Sequence, residues 1–173
     1  MNQVFFKVLI ISILCIISSN AQYHPPIQNF TPDVYKAGNQ NWNISRDDNN
    51  RIYVANNFGL LEFDGLRWTL HPTPDGSIMR SVFVKNNIVF TGAYMDFGYW
   101  LRNENGILAY TSLANTVGFQ TIEDEQFWNI FSHKQYILFQ SLNRLVIYNQ
   151  QSNTLKTYTS EYGILDAFVN DDE

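Results

Sequence analysis

Two kinds of side chain in this sequence could take part in chemistry: aromatic rings that could stack on a sugar, and carboxylates that could transfer protons. Trp42 and Trp128 each open the tripeptide Trp-Asn-Ile, so a repeating fold would place them at equivalent positions. Exposed there, they could hold a carbohydrate ring. Large aromatics at repeated positions mainly fill the space between repeats, however, so we interpret both tryptophans as core residues rather than as ligand contacts.

A second aromatic group is open to the same two interpretations, and core packing is again favoured; it consists of Tyr94, Phe97, Tyr99 and Trp100. The acidic run Glu123–Glu125 could supply an acid–base pair. It stands in a polar stretch of the sequence, and nothing there indicates the pocket that would tune such a pair. We therefore expect a solvated loop.

The sequence holds no clear motif for a metal or a nucleophile. Asp47–Asn50 begins like a calcium loop, but Ile52 stands where that loop needs glycine and Phe58 where it needs glutamate, so a turn is predicted. We predict no catalytic residue, no cofactor and no metal site, and hence no enzyme, since no nucleophile elbow or phosphate loop occurs. The histidines lie in loop-like or turn-like sequence without metal-ligand spacing; they are His24, His71 and His133.

The first residues indicate the compartment. Lys7 precedes the apolar run Val8–Ile17, and small and polar residues follow, which is the layout of a signal peptide. The run is shorter than the roughly 20 apolar residues of a membrane span, and cleavage is predicted between Ala21 and Gln22. An uncleaved anchor that includes the apolar residues 4–6 is the alternative. Both interpretations place the rest of the chain outside the cytoplasm, in the periplasm.

The charge of the chain argues against nucleic acid as a partner. The formal net charge is −5, so phosphate backbones would be repelled. The arginines are scattered along the sequence and form no basic patch. We therefore expect no direct contact between this chain and nucleic acid.

An internal repeat determines the predicted fold. The tripeptide at Trp42 recurs at Trp128 about two units later, if a unit has the roughly 40–50 residues of a propeller blade. A further unit fits between them and begins at Met79, which replaces the tryptophan in this alignment. Each unit contains four short strands separated by polar turns, with apolar inner strands and a more polar fourth strand. The pattern predicts an all-β chain built from propeller blades.

The predicted architecture is an incomplete β-propeller of about three and a half four-stranded blades behind a signal peptide. The stretch Ala167–Glu173 resembles the first strand and turn of blade one, so a fourth blade is expected to begin there and to continue beyond this sequence. The expected bounds are 1–21 for the signal peptide, 22–40 for an extended lead, and 41–173 for the propeller, with blades at about 41–74, 77–115 and 126–160 and a fourth from 164–173.

The repeat resembles that of two-component-regulator propellers. Blade one carries the pattern in Arg51–Trp68, where an aliphatic and aromatic strand precedes Gly-Leu and then an aromatic residue with Asp-Gly. Blade two keeps Gly98, and Asn143–Leu145 replaces the glycine in blade three. The resemblance covers about residues 40–173 and is most specific in blade one.

This resemblance implies a function. Proteins similar in this way carry an exported propeller, then a three-tyrosine β-sandwich, a membrane helix and a cytoplasmic histidine kinase or LuxR-type helix-turn-helix. The chain would be the ligand-sensing segment of a bacterial signal-transduction regulator anchored in the inner membrane. Its expected partners are a carbohydrate or other small extracytoplasmic ligand and the remaining blades of the parent propeller.

Two other functions stay open. The propeller could belong to a secreted polysaccharide-active enzyme, whose site would be assembled from several blades. It could also be a non-catalytic binding module of the cell envelope. The sequence alone does not name a ligand-binding residue that decides between these functions.

Overall fold

A computed structural model describes residues 26–115 and 119–168, together with residues 3, 5 and 7. The described chain is almost entirely β-structure. The predicted signal peptide, its cleavage site at Ala21 and Gln22, and the first residues of the lead lie almost wholly outside this range. The strands are β1 Asn41–Arg46, β2 Ile52–Asn56, β3 Gly59–Phe63, β4 Trp68–His71, β5 Met79–Lys85, β6 Ile88–Ala93, β7 Phe97–Arg102, β8 Leu108–Ser112, β9 Asn129–His133, β10 Tyr136–Gln140, β11 Arg144–Asn149 and β12 Thr154–Thr159.

The twelve strands form three four-stranded antiparallel sheets, β1–β4, β5–β8 and β9–β12, each in simple chain order. Tight turns join neighbouring strands, and their polar residues adopt the left-handed conformation that such turns need. Asn50, Asn87 and Lys134 do so between the first two strands of the three sheets, with φ of 63°, 60° and 51°. These are the polar turns that the sequence predicts.

The hydrophobic core lies between consecutive sheets. Sheets one and two bury Tyr53, Leu60 and Met79 against each other, and sheets two and three bury Phe90 and Phe139. All five are at most 2% exposed, and burial of each contributes on the order of 1.5–3 kcal/mol. The inner strands of sheet two are therefore covered on both faces by neighbouring sheets, and sheets one and three each pack one face on sheet two, which is blade stacking. The predicted propeller architecture is confirmed.

Glycine is required where a third strand passes close to the fourth. A Cβ on Gly59 would lie 2.4 Å from the carbonyl oxygen of His71, and Gly59 has a φ of +136°. A Cβ on Gly98 would lie 2.1 Å from the carbonyl oxygen of Thr111. The glycines quoted for the repeat are thus explained by backbone contact within a blade.

The lead before the first sheet differs from the expected extended segment, because it includes one helical turn, α1, at Pro32–Tyr35. Pro32 favours this turn, since its ring fixes φ at a helical value. Phe30 and Tyr35 pack on Trp68 with ring centroids 5.5 and 6.0 Å apart. The lead thereby covers part of the outer face of sheet one.

The outer face of sheet three is less covered. A groove of about 350 Å³ runs along it, lined by Leu138, Ile147 and Tyr158 among others. The predicted fourth blade shows no strand in residues 164–168, and residues 169–173 lie outside the described range. None of the described helices is long and apolar enough to span a membrane.

Candidate functional site

The first strands of sheets one and two each contain a bulge near their start, which turns one side chain out of the ladder. The pairing of β1 with β2 shifts between Asn41 and Asn43, and the pairing of β5 with β6 shifts between Met79 and Ser81. The residues in the two bulges are Trp42 and Arg80. Trp128 precedes β9 in the same place, with its backbone N–H donated to the carbonyl oxygen of Gln140. Three blades therefore present one residue each from equivalent positions.

This register corrects the sequence alignment, which paired Met79 with the two tryptophans. Met79 is fully buried, and Arg80 takes the position of the tryptophans instead. A shift of one residue sends a strand side chain to the opposite face. The alignment by sequence was therefore one position out, because it matched Met79 rather than the bulged Arg80 to the bulged Trp42.

The two tryptophans and Arg80 form what we call the Trp–Arg–Trp cluster, composed of Trp42, Arg80 and Trp128. The rings of Trp42 and Trp128 meet edge to face, with centroids 5.8 Å apart and planes at 74°. The guanidinium carbon of Arg80 lies over both rings, 4.3 Å from the centroid of Trp42 and 4.8 Å from that of Trp128. Such cation–π contacts bring together side chains from all three sheets.

The cluster is at the surface. Trp42 is 42% exposed and Trp128 is 36% exposed, so the prediction that both are core residues is wrong. The bulge at Trp42 and the position of Trp128 just before β9 explain this, because neither side chain belongs to a regular strand pair that a neighbouring sheet covers. The alternative interpretation, exposed rings from equivalent blade positions, describes the structure.

Hydrogen bonds fix the members of the cluster in place. The indole N–H of Trp42 donates to Oδ1 of Asn57 at 2.8 Å, and the Asn57 amide donates to Oε1 of Gln40 at 2.6 Å. Nε of Arg80 donates to Oε1 of Gln126 at 2.6 Å. The ring of Trp42 and the guanidinium are therefore oriented before any ligand arrives.

Arg80 has no carboxylate partner among the described residues. Its Nη1 is buried and makes no hydrogen bond there. Burial lowers the pKa of Arg80, but a guanidinium remains charged at physiological pH. The cluster therefore combines two half-exposed rings with a positive charge that these residues do not neutralise.

Tyr94 and Asp124 lie beside the cluster. Tyr94 pairs with Gln126 in an isolated β-bridge, and its hydroxyl donates to Oδ1 of Asp124 at 2.6 Å. This hydrogen bond and the charge of Asp124 raise the pKa of Tyr94. The carboxylate of Asp124, which lines a small cavity together with Trp128, is thus bound to a tyrosine rather than to the guanidinium.

The other predicted aromatic residues belong to the core. Phe97 is 0% exposed and Trp100 is 3% exposed, and Tyr99 packs half-buried against the core between sheets two and three. The preference for core packing is confirmed for these three, whereas Tyr94 is at the surface.

The acidic run is only partly the solvated loop that was predicted. Glu123 and Asp124 are exposed, but Glu125 is 2% exposed. Its carboxylate accepts hydrogen bonds from Nε of Arg144 at 2.7 Å, from Nη2 of Arg144 and from the hydroxyl of Ser141 at 2.8 Å. The prediction missed Glu125 because its arginine partner follows 19 residues later in the chain.

A second group of charges lies between sheets one and two. Glu62 accepts hydrogen bonds from Arg102 and from Nε2 of His71, the latter at 2.9 Å, and Nε of Arg51 lies 3.7 Å away. Burial would raise the pKa of Glu62, but the hydrogen bond from His71 and the charge of Arg102 outweigh it, so the pKa lies below its ordinary 4.5. His71, expected in a loop, ends β4 and pairs with this carboxylate.

The remaining predicted sites are structural or outside the described range. Asp47 forms the predicted turn, since its Oδ1 accepts the backbone N–H groups of Asn49 and Arg51. His133 ends β9, and His24 lies outside the described residues. Within the described part of the chain, no group of three His, Cys, Asp or Glu side chains is arranged to hold a metal ion.

Comparisons with known proteins give matches at the level of structure. No protein-family model matches the chain, and no curated protein sequence does. The extracellular domain of a putative hybrid two component system from B. thetaiotaomicron matches with a TM-score of 0.56 and 14% identity, over 76% of this chain and 20% of that one. Another such domain from B. thetaiotaomicron matches with a TM-score of 0.53 and 18% identity, over 66% and 15%. A streptogramin B lyase matches with a TM-score of 0.50 and 14% identity, over 70% and 41%.

The chain thus spans 15% to 41% of the length of these structures. At such low identity the likeness concerns the fold. Extracellular domains of two component systems are the kind of protein that the resemblance of the repeat indicated. The chain therefore has the β-propeller fold that these extracellular domains contain, with three four-stranded blades in its described residues.

Proposed function

We propose that this chain is the ligand-receiving part of an extracytoplasmic sensor propeller in a bacterial signal-transduction regulator. The observation that carries the proposal is the Trp–Arg–Trp cluster. One residue from each of three blades converges on one exposed point, where two rings and a charge are held in fixed positions. Convergence of side chains from several repeats is how propellers assemble binding sites around their central channel.

Export follows from the signal-peptide layout at the start of the sequence. The ligand would then meet the propeller in the periplasm, and the signal would pass to a kinase or helix-turn-helix output through a membrane helix outside this sequence. The fold shared with extracellular domains of two component systems supports this arrangement. Further blades of the same protein are the proposed cover for the apolar groove on sheet three, whose lining includes Leu138 and Ile147.

The proposed role of the cluster is binding rather than catalysis. Its members are two indoles and a guanidinium, and neither group exchanges protons readily at neutral pH. His71, one of the histidines that could serve as a base, is bound to Glu62 between sheets one and two. The lyase among the structural neighbours shares the fold at 14% identity, and fold alone does not transfer an activity.

A binding screen tests the proposal. The purified chain is titrated with a panel of oligosaccharides while its tryptophan fluorescence is followed. We expect at least one sugar to bind, and Trp42→Ala and Trp128→Ala each to weaken that binding about tenfold, as loss of about 1.4 kcal/mol of ring contact would. Tyr162→Ala is the matched control, since Tyr162 is an aromatic side chain, 96% exposed, outside the cluster.

Two outcomes would contradict the proposal. One is that no sugar in the panel binds the wild-type chain. The other is that sugars bind with the same affinity to both tryptophan variants as to the wild type, which would place the ligand elsewhere.

A further inference from the structure

We infer that the ligand of the Trp–Arg–Trp cluster carries an anionic group, a carboxylate or a sulfate on a sugar, and that Arg80 binds this group. The inference rests on the proposed binding function and adds the chemical class of the ligand. It follows from the absence of a carboxylate partner for Arg80 in the described structure and from the carboxylate partners of the other buried or half-buried arginines.

The first step is the unsatisfied edge of the guanidinium. Nε of Arg80 is used by Gln126, and the two indole rings lie against the guanidinium. Nη1 is buried without a partner in the described chain, and Nη2, which is not among the buried unpaired atoms, makes no hydrogen bond there either. A buried donor is costly unless it is hydrogen-bonded, and the planar edge of a guanidinium matches the two oxygens of a carboxylate or the oxygens of a sulfate.

The second step is the pattern among the other arginines. Four of the other five bind a carboxylate of this chain, namely that of Asp47, Asp64, Glu62 or Glu125, whereas the exposed Arg46 binds the amide oxygen of Asn50. The fold thus supplies a carboxylate to every buried or half-buried arginine of the described residues except Arg80. It supplies an amide oxygen to Arg80 instead, and the neighbouring carboxylate of Asp124 accepts from Tyr94. We infer that the anion for Arg80 arrives with the ligand.

The third step is the position of the rings. Trp42 and Trp128 remain 42% and 36% exposed while they flank the guanidinium. Their planes stand at 74° to each other. A pyranose ring could lie on one indole while its acidic substituent meets Arg80, so one compact ligand would satisfy all three side chains. A neutral sugar would leave the charge without an anion.

The test compares acidic sugars with neutral counterparts of the same shape. The purified full chain is titrated by calorimetry with uronate oligosaccharides and their carboxyl-reduced forms, and with sulfated oligosaccharides and their desulfated forms. The two series distinguish carboxylate from sulfate as the source of the charge. We expect at least one acidic sugar to bind tenfold or more tightly than its neutral counterpart.

Variants then assign the preference to Arg80. Arg80→Gln should abolish the preference for the acidic sugar, and Arg80→Lys should keep part of it, because the charge remains while the two-pronged geometry is lost. Arg67→Gln is the matched control and should keep the full preference, since Arg67 is exposed on sheet one and pairs with Asp64. Circular dichroism melts confirm that each variant is folded.

The results separate this inference from the proposed function. Equal binding of acidic and neutral sugars, or an acidic preference that survives Arg80→Gln, would overturn the inference and leave a sugar-binding propeller. Failure of every sugar to bind the folded wild-type chain would overturn both.

Discussion

Two arginines of this protein lie against aromatic rings, and they differ in what neutralises them. Arg144 lies over Phe119, with its guanidinium carbon 4.7 Å from the ring centroid, and it binds the buried carboxylate of Glu125. Arg80 lies over two tryptophans and binds the amide oxygen of Gln126. The first arrangement is complete within the chain, whereas the second leaves a charge without an anion among the described residues.

The difference indicates how this fold uses one residue type for two purposes. Arg144 is 8% exposed and begins the third strand of its blade, where it fastens the strand to the loop that contains Glu125. Each charge of the Arg144–Glu125 ion pair takes the place of water around the other, so this pair has a structural role. Arg80 is half-buried in a bulge, and no carboxylate of the described residues pairs with it. Stability should therefore depend on the first arginine, and binding on the second.

The largest expected effect breaks the complete arrangement. Glu125→Gln leaves the buried Arg144 charge without its carboxylate, and we expect a loss of about 3–5 kcal/mol in the free energy of unfolding. Urea denaturation followed by circular dichroism measures it. Glu123→Gln is the matched control, since this carboxylate is exposed two residues away, and it should change stability by at most about 0.5 kcal/mol. A loss below about 1 kcal/mol for Glu125→Gln would show that the pair is not structural.

An intermediate effect on stability is expected between sheets one and two, where Glu62 accepts hydrogen bonds from Arg102 and His71. We expect Glu62→Gln to cost about 2 kcal/mol, since hydrogen bonds to charged groups contribute about 1.5–3 kcal/mol. The pKa of Glu62 is lowered in the folded protein from 4.5, so the unfolded state binds the proton more readily.

The sign of the pH dependence follows from that lowered pKa. The stabilisation by Glu62 should be complete above pH 4.5, the ordinary value, and should disappear as the pH falls through the lower pKa of the folded state. Urea titrations of wild type and Glu62→Gln at a series of pH values measure the difference. A difference that grows as the solution is acidified would contradict the assignment of this carboxylate as the stabilising partner.

The smallest effect on stability is expected at Arg80. Arg80→Gln removes the cation–π contacts, which contribute about 0.5–1 kcal/mol at exposed sites, but it also removes a buried donor without a partner. The net change in unfolding free energy should stay within about 1 kcal/mol, well below that of Glu125→Gln. Denaturation without ligand tests this. A loss as large as that of Glu125→Gln would mean that Arg80, too, is structural.

The sequence predicts the blades well because their signals are local. Polar turns such as Asp47–Asn50 and apolar second and third strands recur within each unit, and the structure has its strands within about a residue or two of these signals. The roles of Gly59 and Gly98 can be predicted from the sequence for the same reason, since each depends on a neighbouring strand of the same blade.

The site was harder to predict, because its parts are far apart in the chain and meet through a bulge. The recurrence of Trp42 and Trp128 pointed to equivalent positions, but Met79 was aligned with them in place of Arg80. One inserted residue in a strand leaves no mark on hydrophobic periodicity over so short a stretch. Gln126 and Asn57, which orient the cluster, carried no signal beyond their polarity.

The most direct test of the binding cluster uses the four tryptophans of the chain as probes in one experiment. Nuclear magnetic resonance of the ¹⁵N-labelled protein resolves one indole N–H signal for each, and a uronate oligosaccharide is titrated in. Trp42 and Trp128 belong to the cluster, whereas Trp100 is buried and donates to Thr91. Trp68 lines a separate cavity of about 410 Å³ beside the lead, which Trp42 also borders.

We expect the signals of Trp42 and Trp128 to move together on titration while those of Trp68 and Trp100 stay in place. Movement of Trp42 together with Trp68, with Trp128 unchanged, would contradict it by placing the ligand in the cavity beside the lead. Four unchanged signals would contradict the claim that this cluster binds an acidic sugar.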